Sequence, residues 1–353
     1  MNASLMIYGA YGYSGELIAR QAVEEGLEPT LAGRDPDRLI ALAQELGLAY
    51  RVFKLEDPRI VEEELKEMSA VLHCAGPFLH THAKVCRAAI ATGTHYLDIT
   101  GEAAVFEAVA ALGEEAAAAE VMLLPGVGFD VVPTDCLALH LKERLPDATQ
   151  LHLGMKALGK VSRGTALTMA ENLHRGGLVR RDGLLTQVPA AWKTRTLDFG
   201  EGGTSQAVTI PWGDVATAFH TTGIPNIEVY AAMPGSQRTT LRWMRYLAPL
   251  VGSPPVQWFI KGRIRARKPG PSARRRERSR SYLWGEVSNE AGDRRVSRLE
   301  TPEGYTLTAR TAVAAARRVM NGEWQPGFQT PAGAYGAGFI TTIEGVQDFV
   351  DED

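Results

Sequence analysis

The 353-residue chain is 45% hydrophobic and 22% charged, with a formal net charge of −3, which is ordinary globular composition at a length that suits two cores rather than one. Three cysteines, Cys74, Cys86 and Cys136, show no C-x-x-C spacing, which excludes a disulfide scaffold and fits a reducing compartment. No signal peptide precedes the first apolar strand and no apolar run is long enough for a membrane span, so a cytoplasmic protein is expected. The charge is unevenly placed: residues 261–280 hold ten basic residues and one acidic, +9, which leaves −12 on the remainder.

In chain order, the first stretch is an apolar run, Leu5-Met6-Ile7-Tyr8, that breaks into three glycines and resumes at Glu16-Leu17-Ile18-Ala19. Such a run reads as strand, tight turn and helix. Gly9 permits the turn, Gly12 lets backbone amides approach a pyrophosphate, and Gly15 lets the helix pack closely on the sheet. Gly9, Ala10, Tyr11, Gly12, Tyr13, Ser14 and Gly15 are therefore expected to cradle a dinucleotide, with a plain strand–helix turn as the alternative. A second strand, Thr30-Leu31-Ala32, ends in Gly33 and Arg34. The end of this strand is where an acid would hold the ribose hydroxyls of NAD and an arginine would accept the extra phosphate of NADP. Asp35 precedes Pro36 and a helical spacing of leucines, so helix capping accounts for it. Arg34, helped by Arg38, is the expected phosphate clamp, and NADP(H) the expected cofactor.

The alternation continues with strands near residues 50–53, 70–73, 95–97 and 121–124, and helices near 57–68, 81–92 and 103–119. Alternating short apolar runs and helices predict a doubly wound parallel α/β sheet, whose ligands lie beyond the carboxyl ends of the strands. The residues there are Cys74-Ala75-Gly76-Pro77-Phe78, then Asp98-Ile99-Thr100-Gly101-Glu102, then the glycine-rich run from Pro125 to Asp135. Cys74, Ala75, Gly76, Pro77 and Phe78 are expected to line the cofactor path. Asp98 could orient a substrate, and Glu102 reads as a cap for the helix starting at Ala103. Asp130 lies on a loop where the nicotinamide should sit, with the next helix already begun by Pro133 and Thr134. It is the main candidate for catalysis and substrate contact, against simple loop hydrogen bonding.

The motifs GAYGYSG (9–15), GRD (33–35), HCAGPF (73–78), HYLDITGE (95–102) and LLPGVGFDVVPTD (123–135), in this order, resemble those of the saccharopine dehydrogenase-like oxidoreductases. That family includes the saccharopine reductase type and the trans-acting enoyl reductases of lipid synthesis. GTALTMAENL (164–173) and GFQTPAGAYGAGF (327–339) resemble it more loosely. The resemblance implies a Rossmann domain, NADP(H), and an inserted second domain that holds the substrate and often the dimer contact.

Beyond residue 147 the alternation stops. Residues 150–158, 204–210, 227–233 and a hairpin of 282–287 with 296–300 read as strands, and 164–173, 236–250 and 307–320 as helices, which predicts an α+β domain. The expected division is a dinucleotide-binding domain over 1–135, a substrate and dimerisation domain over 136–325, and a return to the first domain over 326–353. Arg163, Gly164 and Thr165 open a helix and could bind a substrate anion, although Ser or Thr capping explains them as well. His80, His82 and Cys86 share one short helix start and lack the four ligands of a closed zinc site, so no metal is expected. With no nucleophile motif either, hydride transfer by a bound cofactor is the chemistry left. The expected substrate is a C=N, C=C or C=O bond of a small or lipid-like metabolite held between the domains. The alternative is a non-catalytic NADP(H)-binding regulator.

Between residues 241 and 280, Trp243, Tyr246, Leu247, Leu250, Val256, Trp258, Phe259 and Ile260 precede the basic run. Prolines break this stretch, so it could lie on a membrane as a peripheral contact but not cross it. The competing reading is a subunit interface, in a homodimer, or a lid. Arg274, Arg275 and Arg276 lack interleaved aromatics and the chain is acidic overall, so no nucleic-acid partner is expected.

Overall fold

The computed structural model describes residues 4–157, 161–172 and 176–352. The expected strand end at Leu158 and helix end at Leu173 lie outside the described residues. Contacts divide the chain into two units, residues 1–132 with 305–336 and residues 133–304 with 337–353.

In the first unit, strands β1 (Leu5–Tyr8), β2 (Thr30–Gly33), β3 (Tyr50–Val52), β4 (Ala70–His73), β5 (His95–Asp98) and β6 (Met122–Leu124) alternate with helices. The helices are α1 (Tyr13–Glu24), α2 (Pro36–Leu46), α3 (Pro58–Leu65), α4 (Phe78–Thr92), α5 (Ala103–Ala110) and α6 (Gly113–Ala118). The parallel sheet runs β6-β5-β4-β1-β2-β3, so the order reverses between β1 and β4, the place where such sheets take dinucleotides. Strands buried on both faces read as continuous apolar runs for this reason. Met6, Tyr8, Val71, Tyr96 and Leu123 join one core with Val61, Leu65, Val85, Val105 and Val109 of the helices. Their neighbours Ile7, Leu31, Leu72 and Leu97, of opposite parity, are fully buried too. Each such side chain contributes about 1.5–3 kcal/mol by leaving water.

The second unit begins as the chain enters α7 (Val132–Arg144) and continues through β7 (Gln150–Ala157), α8 (Arg163–Asn172), β8 (Gly177–Arg181), β9 (Leu184–Val188), β10 (Thr194–Asp198) and β11 (Thr204–Thr209). Next come α9 (Asp214–Thr222), β12 (Asn226–Ala232), α10 (Gly235–Val251), α11 (Pro254–Arg265), α12 (Ala273–Arg278) and the hairpin of β13 (Arg280–Ser288) and β14 (Arg294–Pro302). The sheet is mixed: β12 pairs parallel with β7, while β7–β13, β13–β14, β10–β11 and β11–β12 are antiparallel. Leu137 and Leu141 of α7 pack so tightly on β13 that a Cβ at Gly285 would lie 2.5 Å from Leu141 Cδ1.

The expected return at 326–353 is displaced at both ends. The chain rejoins the first unit at Tyr305, on helix α13 (Gly304–Met320), adds strand β15 (Gly327–Phe328) in parallel beside β6, and forms α14 (Pro331–Tyr335). Residues 337–353 then belong to the second unit, where strand β16 (Val350–Glu352) pairs with β14. Phe339 and Ile340 thus lie in the second unit rather than the first. They belong to a 3-10 turn and their side chains are buried.

Candidate functional site

At the head of the first unit, Gly9 takes φ +85° and its amide donates to Ala32 O at 2.8 Å, which welds the turn after β1 to the end of β2. A Cβ at Gly15 would sit 2.4 Å from Gly9 O, so α1 rests directly on the turn. The amides of Gly9, Ala10 and Gly12 donate within the fold. A phosphate is left the donors at the start of α1, where helix geometry provides unpaired N–H groups and a positive end.

Tyr11 carries more of this site than its place in the motif suggests. Its ring lies on Gly33, where a Cβ would come 2.4 Å from Tyr11 Cε1. Its hydroxyl accepts from the amides of Arg34 and Asp35, both at 3.2 Å. Arg38 donates to Tyr11 O at 2.7 Å and holds its guanidinium 4.8 Å from the ring centre, so its side chain positions Tyr11. Arg34 is exposed and its side chain has no partner among the described residues, which leaves it open to a phosphate. Asp35 caps α2 by accepting from Arg38 N, as its place before Pro36 suggested.

At the end of β4, Gly76 is exposed, and a Cβ there would make only ordinary contact with the Phe78 ring at 3.5 Å. The loop is held by a group that sequence reasoning missed. His73 is fully buried, and its Nε2 donates to Thr81 Oγ1 at 2.9 Å, while that hydroxyl donates to Ala75 O at 2.9 Å. Burial, with His82 nearby, pushes the His73 pKa down to about 3, so the ring is neutral. A histidine inside an apolar strand carries no pattern by which it could have been singled out.

The two carboxylates proposed for chemistry have different surroundings. Asp98 is fully buried and its oxygens are engaged: Oδ1 accepts from Thr100 N and Gly126 N, both at 2.9 Å, and Oδ2 from Tyr96 Oη at 2.6 Å. This arrangement ties the end of β5 to the loop after β6. Burial still raises its pKa to about 6 despite those bonds. Asp130 sits above Gly101, where a Cβ would lie 2.8 Å from Asp130 Oδ2. Burial pushes its carboxyl up to about 6 as well, although the residue keeps some exposure.

Glu102 does not cap its own helix. Its Oε1 accepts from Phe78 N at 3.1 Å, at the start of α4, and joins the loops after β4 and β5. The loop after β6 is held from a distant part of the chain. Phe129 N donates to Thr308 Oγ1 at 3.0 Å and Thr311 Oγ1 donates to Val127 O at 2.8 Å, both threonines on α13. Tyr305 meets Tyr13 edge-on at 5.1 Å. Some 180 residues separate these partners, so no local pattern links them.

Arg163, Gly164 and Thr165 belong to the second unit. Ser162 Oγ accepts from Thr165 N at 3.2 Å, Arg163 N donates to Pro269 O at 2.8 Å, and the Arg163 guanidinium reaches Arg265 O at 3.5 Å. The capping alternative describes this helix start.

Residues 5–124 match the family described as "Saccharopine dehydrogenase NADP binding domain". The chain is similar to the saccharopine dehydrogenase-like oxidoreductase of Bos taurus, 25% identical over 163 residues, 40% of this chain and 38% of that protein. It is also similar to the trans-acting enoyl reductase of Mycobacterium leprae (strain TN), 30% identical over 149 residues, 40% of this chain and 36% of that one. The matches thus span well under half the length of these curated relatives. Among solved structures, apo saccharopine dehydrogenase (L-Glu forming) from Saccharomyces cerevisiae superposes with a TM-score of 0.68 at 11% identity, covering 99% of this chain and 100% of that one. This likeness establishes the fold: a Rossmann sheet and a second domain with a mixed sheet.

Proposed function

We propose that the protein is an NADP(H)-dependent oxidoreductase that reduces, or forms by oxidation, a C=N, C=C or C=O bond of a small or lipid-like molecule. The observation that carries this reading is Asp130, a carboxyl with its pKa raised to about 6 on Gly101, in the loop after the last core strand of an NADP-binding sheet. Carboxyl groups tuned toward neutrality at strand ends are the acids and bases that proton transfer requires. NADPH, when bound, supplies a hydride. The chain's residues do the rest: the start of α1 and Arg34 hold the phosphates, and the His73–Thr81 pair shapes the loop after β4. Asp98 and Thr308 fix the loops that carry Asp130, and Asp130 keeps a proton for the atom of the reduced bond that the hydride does not reach.

The test is consumption of NADPH against a panel of imines, enoyl thioesters and ketones, with Asp130→Asn in parallel. A turned-over substrate should slow by about a hundredfold or more in the variant, the usual worth of a positioned acid, while NADPH affinity holds. NADPH binding with no turnover of any class would defeat the catalytic reading and favour a cofactor-binding regulator. Equal losses of rate and NADPH affinity would reduce Asp130 to a loop-shaping role.

A further inference from the structure

In the second unit, helices α8, α10 and α11 present large apolar side chains to solvent. Trp243 is 65% exposed, Tyr246 72% and Leu250 60%, and they follow an i, i+3, i+7 spacing that makes one stripe of α10. Trp258 is 76% and Phe259 62% exposed on α11, with Met169 of α8 and Val161 beside it each at 49%. Exposure of this size on adjacent elements is unusual for a surface with nothing to cover it.

Two features give the patch a chemistry. Val161, Ala166, Met169, Ala170, Phe259 and Ile264 line a groove of about 390 Å³ between α8 and α11, and Arg263 and Arg267 line it too. Phe259 and Arg263 are one helical turn apart on α11, and Arg267 reaches the groove from just past the end of that helix, an aromatic and two guanidinium groups at one site. Second, Arg263 and Arg267 at the groove, Arg265 and Lys268 on the same stretch, and Arg274, Arg275 and Arg278 further along the chain are exposed and have no carboxylate partner among the described residues, whereas Lys261 pairs with Glu171.

We propose that the α8–α10–α11 face docks on an anionic lipid bilayer, with Trp258 and Phe259 entering the headgroup region and the arginines meeting lipid phosphates and carboxylates. Amphipathic helices rich in tryptophan and arginine lie in the interface plane, and cations beside it add attraction to anionic lipid. No helix among the described residues is long and apolar enough to cross a membrane, so the contact is peripheral. A second copy of the chain is a poorer occupant, because a two-fold contact lays the patch on itself and opposes one cationic rim to another. Single-stranded nucleic acid needs flat stacking platforms along a groove, whereas this groove is lined chiefly by aliphatic side chains.

The experiment is flotation of the full chain with vesicles of phosphatidylcholine alone and of phosphatidylcholine with phosphatidylserine, at low and high salt. The variants are Trp258→Ser with Phe259→Ser, and Arg263→Ser with Arg267→Ser. All four side chains are exposed, and unchanged NADPH affinity serves as the check on the rest of the molecule. Binding is expected only with phosphatidylserine, weakened by salt, with about a fivefold loss for each arginine removed and a larger loss for the aromatic pair. Tryptophan emission should shift to shorter wavelength and be quenched by brominated lipid in the unmodified chain, and less so without Trp258. No flotation at low salt overturns the proposal. So does flotation unaffected by either pair of substitutions, a solution dimer that these substitutions dissociate, or tighter binding to single-stranded RNA than to vesicles.

Discussion

Asp130→Asn removes an ionisation that the fold resists. The carboxyl rises from 3.8 to about 6 because burial disfavours the anion, which at ~1.4 kcal/mol per tenfold corresponds to about 3 kcal/mol. Residual exposure of the residue lowers this to about 1–3 kcal/mol. The sign follows from linkage: a raised pKa in the folded state stabilises while both states are protonated, and that contribution is lost as pH rises through about 6. The unmodified protein should therefore lose about 1–3 kcal/mol relative to the asparagine variant between about pH 4 and pH 7. Asp98 titrates in the same range, but it is present in both proteins and cancels. Urea denaturation of the two proteins at several pH values measures the difference directly. If Asp130 is also the proton donor, turnover of the unmodified enzyme falls about tenfold per pH unit above about 6, and the variant lacks this limb. A stability difference that does not change with pH would refute the assignment of burial as the cause, and a variant with full turnover would refute the catalytic role.

Three further outcomes follow from the geometry. Arg34→Ala should erase most of the preference for NADPH over NADH, about ten- to hundredfold, since the exposed guanidinium gains a charge-assisted bond only with the extra phosphate; titration with both cofactors measures it, and equal affinities in the unmodified protein would end the idea. Gly15→Ala should destabilise the first unit by about 1–3 kcal/mol and weaken cofactor binding, because the added methyl would meet Gly9 O at 2.4 Å and α1 must move away from the turn. Asp98→Ala should cost about 3 kcal/mol or more, as it strands the buried amides of Thr100 and Gly126 and the Tyr96 hydroxyl; urea denaturation should show this loss even with NADPH absent.

The sequence by itself determined what short-range pattern encodes. Glycines at 9, 12 and 15 after an apolar run can only leave a strand and enter a helix, and Asp35 before Pro36 can only start one, because turn geometry and capping are settled within a few residues. The position of Arg34 just after a strand end was legible for the same reason. Tertiary structure decided everything that depends on which donors distant segments bring together. Asp98 and Asp130 look alike in the chain, two acids after two strands. Asp98 accepts from Thr100, Gly126 and Tyr96, and Asp130 lies against Gly101. Glu102 stood at a helix start and reads as its cap, yet its carboxylate serves the neighbouring helix, since the loops after β4 and β5 meet only once the sheet has formed. The clamp of Thr308 and Thr311, and the placement of 337–353 in the second unit, likewise rest on long-range packing that leaves no periodicity in the chain.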